Sequence, residues 1–341
     1  MQQRRLGNTG LEVSRLALGT MTWGRDTDEH EARDQLQLFL EAGGNFIDTA
    51  DTYADGRSEE IVGALLSETV ERSSVVIATK ATSVPPPRRF NASRGHLLAA
   101  LDRSLVRLGV DYVDLWQLHA WDPRTPLDET LAAIDAAISS GRVRYAGISN
   151  YSGWQLTQAA THQQALRHTP IISAQHEYSL LQRGVEREVV PAALALGIGI
   201  LPWSPLGRGV LSGKYRAGIP SDSRGASTHF ASFVQPFLGE KPRGIVDAVV
   251  TAADGLGVAP VEVALSWVRD RPGVVAPIVG ARTAGQLRGV LLSEDLTLPN
   301  EIVDALDDVS APPMAYPEAG WAQPAHLERP EWNRPNLDDS V

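Results

Sequence analysis

Asn45-Phe46-Ile47-Asp48-Thr49-Ala50-Asp51-Thr52-Tyr53 is a short apolar run that breaks into polar residues. Asn45 to Ile47 read as a buried strand, and Asp48 to Tyr53 as the loop leaving its C-terminal end. Ser58-Glu59-Glu60 then reads as a helix start, with acids in the first turn where they favour the helix dipole. A carboxylate and a phenol leaving one strand end together suggest a site. A capped strand-to-helix loop with an incidental tyrosine is the alternative, and the rest of the chain weighs against it.

Upstream, Gly7-Asn8-Thr9-Gly10 between two short runs predicts a β-hairpin over residues 3–15. Leu16 to Gly19 reads as a small strand, and Thr27 to Ala42 as a helix closed by Gly43-Gly44. Downstream, strand and helix signals alternate. Val75 to Thr79 is a β-branched strand, and a helix from about Ser93 carries Leu97, Leu101, Leu105 and Leu108 on one stripe before Gly109. Tyr112 to Leu118 is a strand. Thr125-Pro126-Leu127-Asp128 reads as an N-cap, a proline at the first helical position and an acid in the first turn. Further strands fall at Val143 to Ile148, Ile171 to Ala174, Ile198 to Leu201 and Val274 to Ile278, with helices between. Gly207 to about Gly239 is a long irregular stretch. Eight strands, each followed by helix, predict a single (β/α)8 barrel of the TIM type over 1–341, with an N-terminal hairpin and an irregular tail from Ser310. A doubly wound open sheet is the alternative architecture.

The 341 residues suit one large α/β barrel, and 43% hydrophobic content supplies its core. A net charge of −10 argues against nucleic acid and anionic membranes as partners. With no cysteine, disulfide and thiol chemistry are excluded, and the eight histidines show no metal-ligand spacing. No stretch reaches the roughly 18–20 apolar residues of a membrane span, and no apolar leader follows Met1, so the cytoplasm is the expected compartment.

In a barrel of this kind the C-terminal strand ends build the active site. Here they carry Asp48 with Tyr53, then Lys80, His119, Ser149-Asn150, Gln175 and Trp203-Ser204. An acid, a phenol, a lysine and a histidine around one mouth suit proton transfer to or from a carbonyl oxygen. Free tyrosine, with a pKa of about 10, is a weak acid near neutral pH; a nearby ammonium favours phenolate and lowers that value. An ion pair with Asp48 would keep Lys80 charged, and His119 could donate a hydrogen bond to the carbonyl oxygen. Such a site lacks a nucleophile, which a nicotinamide cofactor would supply as hydride.

No GxGxxG stretch lies between a strand and a helix, and Gly213-Lys214 fails as a P-loop because Arg208 occupies the required glycine position. The better anion signal is Gly280-Ala281-Arg282-Thr283-Ala284-Gly285-Gln286, where Thr283 and Gln286 form a capping box beside Arg282. Ser204-Pro205-Leu206-Gly207-Arg208-Gly209 offers a second anion-friendly loop.

These stretches, with Asp114-Leu115-Trp116-Gln117-Leu118-His119 and Gly147-Ile148-Ser149-Asn150-Tyr151, resemble the aldo-keto reductase superfamily over nearly the whole chain, especially bacterial members related to the potassium-channel beta subunits. The resemblance implies a catalytic tetrad of Asp48, Tyr53, Lys80 and His119, with Tyr53 as general acid in NADPH-dependent, reversible reduction of an aldehyde or ketone. It implies that Ser149, Asn150 and Gln175 hold the nicotinamide amide and that Trp203 stacks on the ring. Ser204, Leu206, Arg208 and Gly209 would lie along the pyrophosphate. Gly280, Arg282 and Gln286 would meet the 2′-phosphate that distinguishes NADPH from NADH. Family members usually carry Asn or Glu near the position of Val290. Trp23 and Trp121 are expected to line an aromatic substrate mouth with Tyr53, walled by residues 207–239 and by the tail with Trp321 and Trp332, with barrel-rim packing the alternative for Trp23. Two alternatives stand beside the reductase: an NADPH-binding regulatory subunit with little turnover, and a lyase using Lys80 as a Schiff-base amine.

Overall fold

The β-branched runs and leucine stripes that alternate along the chain also alternate in space in the computed structural model, which describes residues 1–221 and 223–313. A hairpin of β1 (Gln3–Arg5) and β2 (Glu12–Ser14) precedes eight parallel strands. These are β3 (Ala17–Gly19), β4 (Phe46–Asp48), β5 (Val76–Ala81), β6 (Val113–Leu118), β7 (Val143–Ser149), β8 (Ile171–Glu177), β9 (Gly199–Trp203) and β10 (Ile278–Val279). From β3 to β9 each strand pairs with the next in the chain, and β10 returns to pair with β3. Between β9 and the approach to β10, Ile200 and Val274 form a parallel bridge, and the Val275 amide donates to the Ile200 carbonyl at 2.9 Å. The result is a nearly closed (β/α)8 barrel.

Helices pack around it: α1 (Glu29–Glu41), α2 (Arg57–Thr69), α3 (Arg94–Leu108), α4 (Leu127–Ser139), α5 (Gly153–Leu166), α6 (Val185–Leu196), the short α7 (Ala231–Val234), α8 (Glu240–Leu256), α9 (Pro260–Arg269), α10 (Ala284–Leu291) and α11 (Asn300–Ser310). Leu97, Leu101, Leu105 and Leu108 of α3 bury against the outside of the barrel with Trp116 and Leu118 of β6. The barrel interior is a second, smaller apolar cluster that includes Phe46, Ala78, Leu115 and Leu201. Leu6 from the hairpin completes it and closes the N-terminal mouth. Gly7 turns there with φ +62°, where a Cβ would lie 2.5 Å from the Ile172 carbonyl oxygen.

Several boundaries differ from those expected. Lys80 and Gln175 lie inside β5 and β8, because ladder pairing to Gln117 and Ser149 extends both strands past their apolar runs. Thr125 does not cap α4. Pro126 holds that position, and the Thr125 hydroxyl donates to Asp122 Oδ2 at 2.7 Å instead. The last strand shrinks to two residues, since Pro277 has no N–H to donate. Ser310 ends α11 rather than opening the tail, and Trp321 and Trp332 lie outside the described residues. Among the described residues no single helix is long and apolar enough to cross a membrane.

Candidate active site

Side chains alternate across a strand, so a residue two positions beyond an interior apolar one also points inward. Phe46 leads to Asp48, Ala78 to Lys80 and Leu115 to Gln117, and the apolar interior gives way to a polar layer at the C-terminal end. Lys80 is fully buried there, its Nζ 2.6 Å from Asp48 Oδ2, 2.8 Å from the Thr49 carbonyl oxygen and 3.5 Å from the Tyr53 hydroxyl. Asp48 Oδ1 accepts from Gln175 Nε2 at 2.8 Å and from Gln117 Nε2 at 3.3 Å. Tyr53 begins a single tight turn, Tyr53–Gly56, in which Ala54, Asp55 and Gly56 all have positive φ. That backbone is costly for the two non-glycine residues. It is held by the Asp51 amide donating to the Lys80 carbonyl and by Ser58 bonding Thr20 and Thr49. Glu59, expected to serve the helix dipole, is instead buried, accepting from Thr79 Oγ1 at 2.6 Å and from Arg107 Nε at 2.8 Å.

The electrostatics follow from burial. Desolvation alone would drive the proton off Lys80, but Asp48 and the Tyr53 phenol outweigh it, and the ammonium pKa lies above its ordinary value. An amine held charged is a poor nucleophile, which weighs against a Schiff-base role for Lys80. Burial pushes the Tyr53 phenol up as well, with Lys80 pulling it down only in part. The expected net lowering is therefore reversed, and the phenol keeps its proton at neutral pH. Burial, then Lys80, depress His119 to about 3, so its imidazole is neutral and carries one N–H donor. Its Nδ1 lies 3.4 Å from Ser83 Oγ. A protonated phenol, a fixed ammonium and a neutral imidazole can jointly bind and protonate an oxygen that gains negative charge.

These groups open on a cavity of about 660 Å³ lined by Asp48, Tyr53, His119, Ser149, Asn150, Gln175, Trp203, Ser204, Leu206, Arg208, Gly209, Gly280, Arg282 and Gln286. Its far end is basic. Lys214 and Arg224 join Arg282 there, and Arg224 Nη2 would lie 4.0 Å from a Cβ placed on Gly280. Burial and then the charge of Arg282 lower the Arg224 pKa, as expected of guanidinium groups gathered near one another. Thr283 caps α10, accepting from the Gln286 amide at 3.3 Å, while Gln286 Oε1 accepts from the Arg282 amide at 3.0 Å, so only half of the expected capping box forms. A polar pocket at one end and a cation cluster beside a helix start at the other fit an elongated ligand bearing phosphates.

Other expected site residues sit differently. Trp23 does not line the mouth: it is fully buried, with Nε1 donating to Gln35 Oε1 at 3.1 Å, because α1 packs over it. Trp121 also stays outside the cavity lining, packed edge-to-face on Tyr151 and Trp154. Arg208 borders the cavity, but its guanidinium pairs with both Glu177 oxygens at 2.7 Å and lies over the Phe233 and Phe237 rings. It ties down the irregular segment instead of presenting its charge to a ligand. Asn150 Nδ2 donates to the His119 carbonyl and Ser149 Oγ, and its Oδ1 accepts from Trp203 Nε1, while Phe233 stacks on the Trp203 ring. Gly289 and Val290 line the cavity, whereas Arg288 is exposed. Sequence reasoning missed Gln117, Lys214 and Arg224. A glutamine two positions after Leu115, on the strand face that points into the barrel, was a readable signal for the first; the other two lie in the irregular stretch, which has no period to read.

Comparison with known proteins agrees with this geometry. A sequence model of the Aldo/keto reductase family matches residues 15–311. The chain is 38% identical to the Uncharacterized oxidoreductase YrpG of Bacillus subtilis (strain 168), covering 94% of this chain and 99% of that protein. It is 36% identical to a probable voltage-gated potassium channel subunit beta of Arabidopsis thaliana, over 94% and 99% of the two chains. Versiconal hemiacetal acetate reductase of Aspergillus parasiticus is 32% identical over 93% and 99%. With barrel, cavity and family match in agreement, the chain belongs to the aldo/keto reductase family and is an NAD(P)H-dependent oxidoreductase.

Proposed function

We propose that this protein uses NADPH to reduce the carbonyl of a small aldehyde or ketone to the alcohol, reversibly, with Tyr53 as general acid. The observation that carries the reading is the Tyr53 hydroxyl. It faces the cavity and touches the Lys80 ammonium, which is itself a donor, so the phenolic proton is left for a substrate oxygen. Bound along the cavity, the nicotinamide cofactor supplies the hydride. His119, neutral, donates a hydrogen bond that orients the carbonyl oxygen. Tyr53 gives that oxygen its proton, and Lys80, held charged by Asp48, stabilises the phenolate left behind. The phenol is reprotonated from solvent before the next turnover, and the reverse sequence oxidises an alcohol.

Ser149, Asn150, Gln175 and Trp203 line the cavity and in this reading hold the nicotinamide end, with Ser204, Leu206 and Gly209 along the pyrophosphate. Lys214, Arg224 and Arg282, with Gly280 and Gln286, line the same cavity and in this reading meet the adenosine phosphate. That concentration of cations supports NADPH over NADH. One relative's name is that of a reductase of a hemiacetal acetate, which supports the carbonyl class. The absence of cysteine leaves nothing for an oxidising compartment to stabilise, and the cytoplasm is the setting proposed. Titration with NADPH and NADH, followed through quenching of tryptophan fluorescence, tests the reading, with a carbonyl panel to follow. Quenching by NADPH at much lower concentration is expected. Equal quenching would overturn the phosphate assignment, and no quenching by either would overturn the cofactor site.

A further inference from the structure

Gln117 is fully buried in the barrel and does not line the cavity, yet it touches the two groups that do. Its Nε2 lies 3.3 Å from Asp48 Oδ1, and its Oε1 lies 3.3 Å from Gln175 Nε2, which is itself 2.8 Å from the same Asp48 oxygen. The chemistry of this triangle permits only one arrangement. A carboxylate only accepts, so each glutamine must turn its NH2 toward Asp48, and Gln175 then gives its other N–H to the Gln117 carbonyl. Turning either amide over would set an oxygen against the buried carboxylate. Both Gln175 donors are thereby committed, and its Oε1 is the group left to face the cavity as an acceptor. Room for this comes from Gly147, the ladder partner of Gln117 on the next strand. A Cβ there would stand 3.1 Å from Gln117 Cγ and 2.1 Å from Ser173 Oγ.

We propose that Gln117 is a positioning residue: together with Asp48 it fixes the Gln175 amide, which then presents an acceptor to the carboxamide N–H of the cofactor, and so links cofactor recognition to the Asp48–Lys80 pair. This rests on the cofactor site proposed above. It predicts that the protein prefers NADP+ over the 3-acetylpyridine analogue, in which a methyl group replaces the carboxamide NH2, by about tenfold in Kd. Gln117→Met keeps the length and apolar stem but removes both hydrogen bonds. It should narrow that preference to about twofold or less in fluorescence titrations. Gln175→Met, which removes the acceptor itself, should narrow it at least as far, and the double variant no further than Gln175→Met. A purely structural role for Gln117 would weaken both dinucleotides alike, and an unchanged ratio in either single variant overturns the proposal. Gln175→Met keeps the test available if Gln117→Met does not fold. Failure of the unaltered protein to bind either dinucleotide would overturn the cofactor site and this proposal together, whereas binding with an unchanged ratio overturns this proposal alone.

Discussion

Two places in this barrel set a tyrosine beside a buried carboxylate and a buried cation, and they serve different ends. At the strand ends, Tyr53 lies against Lys80 and Asp48. Between β8, α6, α9 and α11, Tyr178 donates to Glu186 Oε1 at 2.8 Å, Arg183 grips both Glu186 oxygens at 2.8 Å, and Asp307 binds Arg271 and the Trp267 indole. Burial pushes both phenols up. The difference is where the phenolic proton goes. Tyr178 gives it to Glu186 inside a network of paired charges, while among the described residues the Tyr53 hydroxyl meets the Lys80 ammonium, itself a donor, and opens on a cavity. Buried charge alone therefore does not mark a site. An uncommitted donor facing a cavity does.

The contrast can be broken at either place. The largest expected effect is at the first. Lys80→Met should lower kcat for carbonyl reduction by about 10³-fold or more, because the phenolate loses its counter-charge. Steady-state rates near wild type would erase the distinction. At the second, Asp307→Asn leaves buried guanidinium charge poorly compensated and should cost about 3 kcal/mol in urea unfolding, with kcat unchanged within about twofold. A large kcat loss at preserved stability would make that network functional after all. A smaller effect is expected along the cavity: Arg224→Ala should raise the Kd for NADPH by about tenfold and leave NADH within about twofold. Equal weakening of both would remove the 2′-phosphate from its neighbourhood.

The smallest effect concerns Asp51, whose Oδ1 is buried without a hydrogen-bond partner among the described residues. Burial, then Glu59, raise its pKa to about 7, against the opposing pull of Arg107, Arg103 and Lys80. A folded-state pKa above the unfolded value means that the proton-linked stability is complete below the ordinary carboxylate range and is lost as pH rises through about 7. Asp51→Asn should therefore raise Tm by about 2 °C at pH 8 and leave it nearly unchanged or lower at pH 4. A shift that is the same at both pH values would show that Asp51 does not titrate in this range.

The two regions also differ in how readily the sequence exposes them. Asp48, Tyr53, Lys80 and His119 follow apolar runs directly, and a strand end is the one place where chain position and spatial position coincide in a barrel. Gln117 sits one ladder step inside its strand, so its role depends on which neighbour on the adjacent strand lacks a side chain, and Gly147 is thirty residues away. Trp23 is expected at the mouth, but its place is set by Gln35 on α1, a tertiary partner with no local signature. Lys214 and Arg224 reach the cavity from the irregular stretch after β9, and Arg208 in the same stretch turns to Glu177 instead. Nothing periodic distinguishes these three cations along the chain. The Tyr178 network is equally hidden, since it joins residues from Tyr178 to Ser310 that meet only when α11 packs.

The most direct test of the account is Tyr53→Phe, with NADPH affinity measured by fluorescence quenching and carbonyl reduction measured on the same preparation. The account predicts NADPH binding within about twofold of the unaltered protein and a fall in kcat of at least about 10³-fold, because only the proton donor has been removed. Carbonyl reduction retained at full rate with NADPH still bound would contradict it.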